Sequence, residues 1–238
     1  MTDQAARPLE VLPVQGMPEV GPGDSIADLV ADRIQLRQGD VVVVTQKVVS
    51  KAEGRVVDTS GLDEETAKAA LVARESRRVL RRRGSLLVTE THHGFVCANA
   101  GVDFSNLPRG RAALLPSDPD RSARRIRDRL AARLSFPVGV VVSDTFGRPW
   151  RRGLVDVAIG AAGVACVLDL RGSLDAHGRP LETTEVCVAD EIASAAELVM
   201  GKAKGVPAAV VRGLPAEWLR PSSVAAEVVR PHREDLFR

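Results

Sequence analysis

The chain has 238 residues, 45% hydrophobic and 27% charged, an ordinary composition for a soluble protein with a sizeable core. Thirty-three bases against 31 acids leave a net charge of +2, which does not indicate a dedicated nucleic-acid binder. No apolar run approaches the roughly 20 residues of a membrane helix, and the opening MTDQAARPLE lacks the apolar stretch of a secretory signal.

In chain order, residues 1–8 read as a flexible N-terminus. A mixed apolar stretch then runs to the turn Gly21-Pro22-Gly23-Asp24. A helix is expected over about 25–36 with Asp24 as its N-cap. The four consecutive Val at 41–44 read as a strand buried on both faces. Residues 63–83 read as one helix, with Arg74, Arg77, Arg78 and Arg81 on a single face. Strands at 85–89 and near 95–98 bracket His92-His93, and a polar turn follows at 101–106.

Ser117-Asp118-Pro119 marks a helix start, with Asp118 capping and Pro119 in the first position. That helix runs to about Leu134, with Ile126, Leu130 and Leu134 inward and Arg121, Arg124, Arg125 and Arg129 outward. Pro137 admits a strand over 138–142, which is expected to stop at Ser143-Asp144-Thr145. Residues 156–168, small and apolar, suit a tightly packed helix. A turn at 172–178 and an Ala-rich helix over 190–200, closed by Gly201, lead to a last strand at 207–211. The tail 214–238 offers few core positions. Strands and helices mix without regular alternation, so an α+β fold is expected.

Cys97, Cys166 and Cys187 form neither a disulfide framework nor a metal cluster and suit a reducing cytoplasm. His92, His93, His177 and His232 lack metal-ligand spacing. No GxxxxGK[ST] or GxGxxG occurs, so a nucleotide site would have to be non-standard. Nothing suggests a covalent nucleophile. The sharpest local feature is a buried strand delivering Asp144 and Thr145, followed by Arg148, Arg151 and Arg152. That arrangement suits Mg²⁺ and phosphoryl oxygens, and it equally suits a capped turn with a solvated basic surface. Asp103, Ser105 and Asn106 form a second oxygen-rich turn that could share a metal pair with Asp144 or simply make the turn. Lys47 and Lys51 follow the Val strand, where a lysine reaches a phosphate or lies in an exposed loop. Lys202 and Lys204 follow a helix C-terminus, whose dipole accounts for them. The Arg faces of the two long helices read as solvated.

Together the segments resemble the coenzyme F-420-0:gamma-glutamyl ligase family. The matching text is GMPEV at 16–20, GDVVVVTQKVVSKAEGRVVD at 39–58, HGFVCANAGVDFSN at 93–106, VVSDTFGRPWRRG at 141–153, DVAIGAAG at 156–163 and TTEVCVADEIASAAELVMGK at 183–202. The resemblance covers about 9–213 as a gamma-glutamyl ligase domain. It implies an intertwined homodimer of two-part α+β subunits without a Walker A loop. The implied reaction is GTP-dependent addition of L-glutamate to F-420-0, extended through gamma linkages, by way of an acyl phosphate. It further implies two divalent ions, Mg or Mn, and leaves room for a monovalent cation. Asp103 and Asp144 then correspond to ligands of one metal and Thr145 to a ligand of the second. Met17, Pro18, Glu19, Val20, Gln46, Lys51, Asn106, Met200, Gly201, Lys202, Ala203, Lys204, Gly205, Val206 and Pro207 fall on nucleotide-contacting stretches.

Two positions depart from the family text. Lys202 stands where Gln commonly follows Met-Gly, and Leu154 stands where Gln commonly follows the glycine after the Arg cluster. The chain ends at Arg238, so the flavin-binding domain fused to many actinobacterial relatives is not expected. Two rival readings remain: a diverged amide ligase acting on another phosphorylated carboxylate, and a non-enzymatic polyanion-binding protein using its Arg-faced helices. Neither a nucleic acid nor a membrane is expected as partner.

Overall fold

A run of Val cannot alternate apolar and polar residues, so it is stable as a strand only where both faces are covered. In the structure, a computed structural model describing residues 8–237, the Val run forms the middle of the main sheet. The expectation of a flexible 1–8 falls outside the described residues but for Pro8. The elements in chain order are β1 (Glu10–Pro13), α1 (Ile26–Ala31), β2 (Val41–Thr45), α2 (Gln46–Ala52), β3 (Val56–Asp58), α3 (Glu64–Glu75), β4 (Ser76–Arg83), β5 (Leu86–Thr91) and β6 (Val96–Ala98). They continue with β7 (Arg111–Ala113), α4 (Pro119–Leu134), β8 (Gly139–Arg148), β9 (Arg151–Ala162), β10 (Leu168–Asp169), β11 (Glu185–Val186), α5 (Val188–Met200), β12 (Ala208–Arg212) and α6 (Val224–Glu227). This is a mixed α+β fold.

The main sheet has the order β1-β12-β2-β8-β9. Only β2 and β8 run parallel, paired from Val41↔Gly139 to Thr45↔Ser143. Side chains of successive strand residues point to opposite faces, so one Val run feeds two cores. Val42 and Val44 join Val140, Val142 and Val210 against Ile26, Val30, Ile126 and Leu130 of α1 and α4. Val41 and Val43 join Val141 and Val211 against Ala189, Ile192, Ala193 and Ala196 of α5. A third cluster of Leu71, Val72, Ala100, Val102, Ala112 and Leu114 lies apart from these, near the smaller sheets β4-β5-β6 and β3-β7.

Several expectations change. The first helix is shorter than 25–36 and is capped by Ser25, while Asp24 instead accepts a hydrogen bond from the Gly21 N–H. The helix expected over 63–83 stops at Glu75, and the Arg-rich remainder is β4. Its stability there comes from pairing with β5, where Arg78 lies opposite Glu90 and donates to it at 2.7 Å. The strand expected to end at 142 continues to Arg148, turns, and pairs antiparallel with β9. Residues 151–162 are therefore strand, not the helix expected over 156–168. Their smallness serves a close approach instead. A Cβ on Gly160 would lie 2.3 Å from the Pro119 carbonyl at the start of α4. The tail holds more core than expected: Val224 is buried, and the Asp120 carboxylate accepts the N–H groups of Val224 and Ala225. Among the described residues no helix is long and apolar enough to cross a membrane.

Candidate functional site

The parallel pairing of β2 and β8 ends both buried runs at the same edge of the sheet, at Thr45 and Ser143. Antiparallel β12 begins there, because Ala208 pairs with Val44. Chain leaving the carboxyl ends of parallel strands opens a crevice, which is where open α/β sheets commonly bind ligands. A cavity of about 480 Å³ occupies this edge.

Five groups of side chains enclose it. Met17, Pro18, Glu19 and Val20 come from the loop after β1, and Thr45, Gln46, Lys47, Val48 and Lys51 from the β2–α2 junction. Asp103, Ser105 and Asn106 come from the turn before β7. Ser143, Asp144, Thr145 and Asp156 come from the β8–β9 hairpin. Glu197 and Met200 at the end of α5, with Gly201, Lys202, Ala203, Gly205, Val206 and Pro207 of the loop into β12, close the last side. Every residue that the family resemblance assigns to the site lines this cavity except Lys204, whose aliphatic stem lies over Gly201. Arg148, Arg151 and Arg152 stand outside it, and so does Leu154 on the exposed part of β9.

Charge is arranged in pairs. The Lys47 ammonium lies 2.7 Å from Asp103 and also donates to Ser105 Oγ at 2.9 Å. Lys51 pairs with Glu19 across the cavity rim. Asp156 is 3% exposed; its oxygens accept the hydroxyls of Ser143 and Thr145, and Lys202 Nζ lies 3.5 Å away. Burial alone would raise Asp103, but the hydrogen bonds from Lys47 and Ser105 hold it below the usual carboxylate range. Asp144 differs. Desolvation and the neighbouring charges of Asp156 and Asp103 push it up to about 7 against the Thr145 N–H and Lys202, which favour the anion.

Sequence reasoning gave Asp156 no role, although it is the most buried acid of the cavity. Its placement follows from the hairpin, which sets Thr145 opposite Asp156 and Asp144 opposite Val157. Reading 156–168 as helix hid that register. Glu197 also went unnoticed, one turn before the end of α5.

The carboxylates and hydroxyls at this wall are hard oxygen donors of the kind that Mg²⁺ and Mn²⁺ take. Asp144, surrounded by like charge, is the group that a cation would relieve. Among the described residues, no three His, Cys, Asp or Glu side chains are placed to enclose a metal ion. The donor set therefore fits an ion whose remaining ligands are water and phosphate oxygens, the usual habit of Mg²⁺. A smaller cavity of about 180 Å³ shares Asp103, Asp144 and Thr145 and is otherwise lined by uncharged residues, among them Cys97, Asn99 and Phe146.

Fold and cavity together define a mixed α+β protein whose sheet edge gathers lysines and aspartates, with no Walker A sequence in the chain. A sequence model of the family described as F420-0:Gamma-glutamyl ligase matches residues 16–213. The chain is 42% identical over 251 residues to the coenzyme F420:L-glutamate ligase of Methanothermobacter thermautotrophicus, covering 97% of this chain and 99% of that protein. It is 43% identical over 247 residues to the enzyme of the same name from Methanopyrus kandleri, covering 97% and 98%. A third relative of that name, from Archaeoglobus fulgidus, is 41% identical over 244 residues, covering 97% and 96%. The chain belongs to the F420-0:gamma-glutamyl ligase family.

Proposed function

We propose that this chain joins L-glutamate to coenzyme F-420-0 at the expense of GTP, and extends the product through gamma linkages. The observation that carries the reading is the single cavity that gathers the glycine-bounded loop 17–20, Gln46, Lys51, Asn106 and the loop 200–207 around Asp103, Asp144 and Thr145. These groups come from five separate parts of the chain, as positioning a triphosphate and an acceptor requires.

In this reading Lys47, Lys51 and Lys202 hold the phosphates, with the loop 200–207 and Met17 lining the rest of the nucleotide. A carboxylate oxygen of the acceptor attacks the gamma phosphorus, the bond to the beta-bridging oxygen breaks, and GDP leaves. The glutamate amine then attacks the acyl carbon, inorganic phosphate departs, and the amine proton is lost to solvent or base. A divalent ion, Mg²⁺ or Mn²⁺, held by Asp103 and Asp144 would neutralise phosphoryl charge. The smaller cavity gives an acceptor acid access to the same aspartates. The chain acts in the cytoplasm as a homodimer, with exposed Trp150 and Leu154 near the turn between β8 and β9 supplying apolar surface for a second copy.

The polyanion reading is weakened by the Arg faces themselves. On α4, Arg129 and Arg133 are tied to Asp28 and Asp32, and on β4, Arg77 and Arg78 are tied to Glu90. Incubating the purified protein with F-420-0, GTP, glutamate and Mg²⁺ or Mn²⁺ should yield glutamylated product and GDP. Absence of the mass increment with both metals would reject the proposal.

A further inference from the structure

The acidic wall of the main cavity carries three aspartates, and two of them already have an ammonium group. Lys47 lies 2.7 Å from Asp103, and Lys202 lies 3.5 Å from Asp156. Asp156 is closed in a further way: one oxygen takes the Ser143 hydroxyl and the other takes the Thr145 hydroxyl. Asp156 and Thr145 would be the natural oxygen pair for a second metal ion beside one on Asp103 and Asp144. Here they bind each other and are covered by a cation that the chain supplies itself.

We propose that Lys202 is a built-in cation of this site, standing in for a second metal ion, so that each chain holds one divalent ion rather than two. Its side chain is 58% exposed and projects from the loop that follows α5, at the mouth of the cavity. A lysine on a flexible stem is a mobile point charge. It can stay beside Asp156 and meet a phosphoryl oxygen there when one arrives. Charge balance agrees with this assignment. On this wall Lys47 and Lys202 already offset two of the three aspartates before any metal ion binds.

The proposal rests on the ligase reading for its phosphoryl ligand, and its test is separate from that reading. Metal-free protein with saturating GDP is titrated with Mn²⁺, and free Mn²⁺ is counted by its electron paramagnetic resonance signal. Wild type should bind one Mn²⁺ per chain. Lys202→Gln, which replaces the ammonium with a shorter neutral amide, should double this to two, whereas Lys202→Arg should keep one. Thermal melting of each variant checks that the exposed substitution leaves the fold intact. Two ions bound by wild type, one ion bound by Lys202→Gln, a second ion admitted by Lys202→Arg, or no bound Mn²⁺ in any protein would each overturn the proposal. Glutamylation by wild type is assayed in parallel. Its failure alongside a one-to-two count would remove the ligase reading and leave the metal count standing.

Discussion

Asp120 and Asp144 both lie against β9, yet their surroundings differ in kind. Asp120, in the first turn of α4, is almost fully buried, and its two oxygens accept three backbone N–H groups. They are those of Ala161 on β9 at 2.8 Å, Val224 at 2.9 Å and Ala225 at 3.0 Å. Those bonds clamp the C-terminal tail to the sheet. Asp144 faces the cavity with Asp103, Asp156 and Lys202 as its charged neighbours, and burial and the two carboxylates outweigh the lysine and raise it to about 7. The comparison separates two uses of a desolvated carboxylate. One whose lone pairs are filled by fixed N–H donors builds structure, and one left among like charges is kept for a cation that comes and goes.

The strongest way to break that contrast is to remove Asp144. Asp144→Ala should lower glutamylation by at least about 10²-fold, the scale of losing a principal electrostatic group in phosphoryl chemistry. It should also leave the midpoint of urea unfolding unchanged or higher, because it deletes a repulsive charge. A large fall in stability with activity preserved would mean that Asp144 belongs to the structural class instead.

The complementary change is Asp120→Ala. It leaves three buried N–H groups without acceptors and should cost about 3 kcal/mol or more in unfolding free energy. Limited proteolysis should then cut near 214–224 well before the rest of the chain is attacked, while Mn²⁺ binding at the distant cavity persists below the melting transition. Equal protease resistance in wild type and variant would show that the clamp is dispensable.

The sequence made some of this arrangement readable and concealed the rest for identifiable reasons. The Val run, the capped α4 beginning Asp118-Pro119, and α5 ending at Gly201 are written in local chemistry, and all three stand where they were expected. The partners of β4 and β9 are not local. Arg side chains suit a helix as well as a strand, and only Glu90, twelve residues on, selects the strand for Arg78. In β9, burial on both faces removes the alternation that normally marks a strand, and Gly160 is small because α4 passes against it. The aspartates at 103 and 144 and the lysines were recognisable as candidates. Asp156 was not, because its role exists only through the β8–β9 register. The anchoring of the tail was equally hidden: Asp120 stands 104 residues from Val224.

Glu227 extends the comparison to smaller energies and supplies its pH test. Its Oε2 accepts the N–H groups of Cys166 and Val167, and Arg220 grips both oxygens at 2.6 and 3.0 Å. Burial works to raise this carboxyl, but Arg220, Ser222 and the Val167 N–H outweigh it and hold it at about 2, against 4.5 when free. Because the folded value is the lower one, the stabilisation is fully present above about pH 4.5 and is lost as pH falls toward 2. With the guanidinium 40% exposed, the contribution is on the order of 1–2 kcal/mol. Glu227→Gln should therefore unfold more easily than wild type at neutral pH, and the gap should close between about pH 4.5 and 2. A gap that stays constant through that window would show that Glu227 holds the tail by shape and neutral hydrogen bonds rather than by its charge. It would then differ from Asp144 in more than the occupancy of its lone pairs.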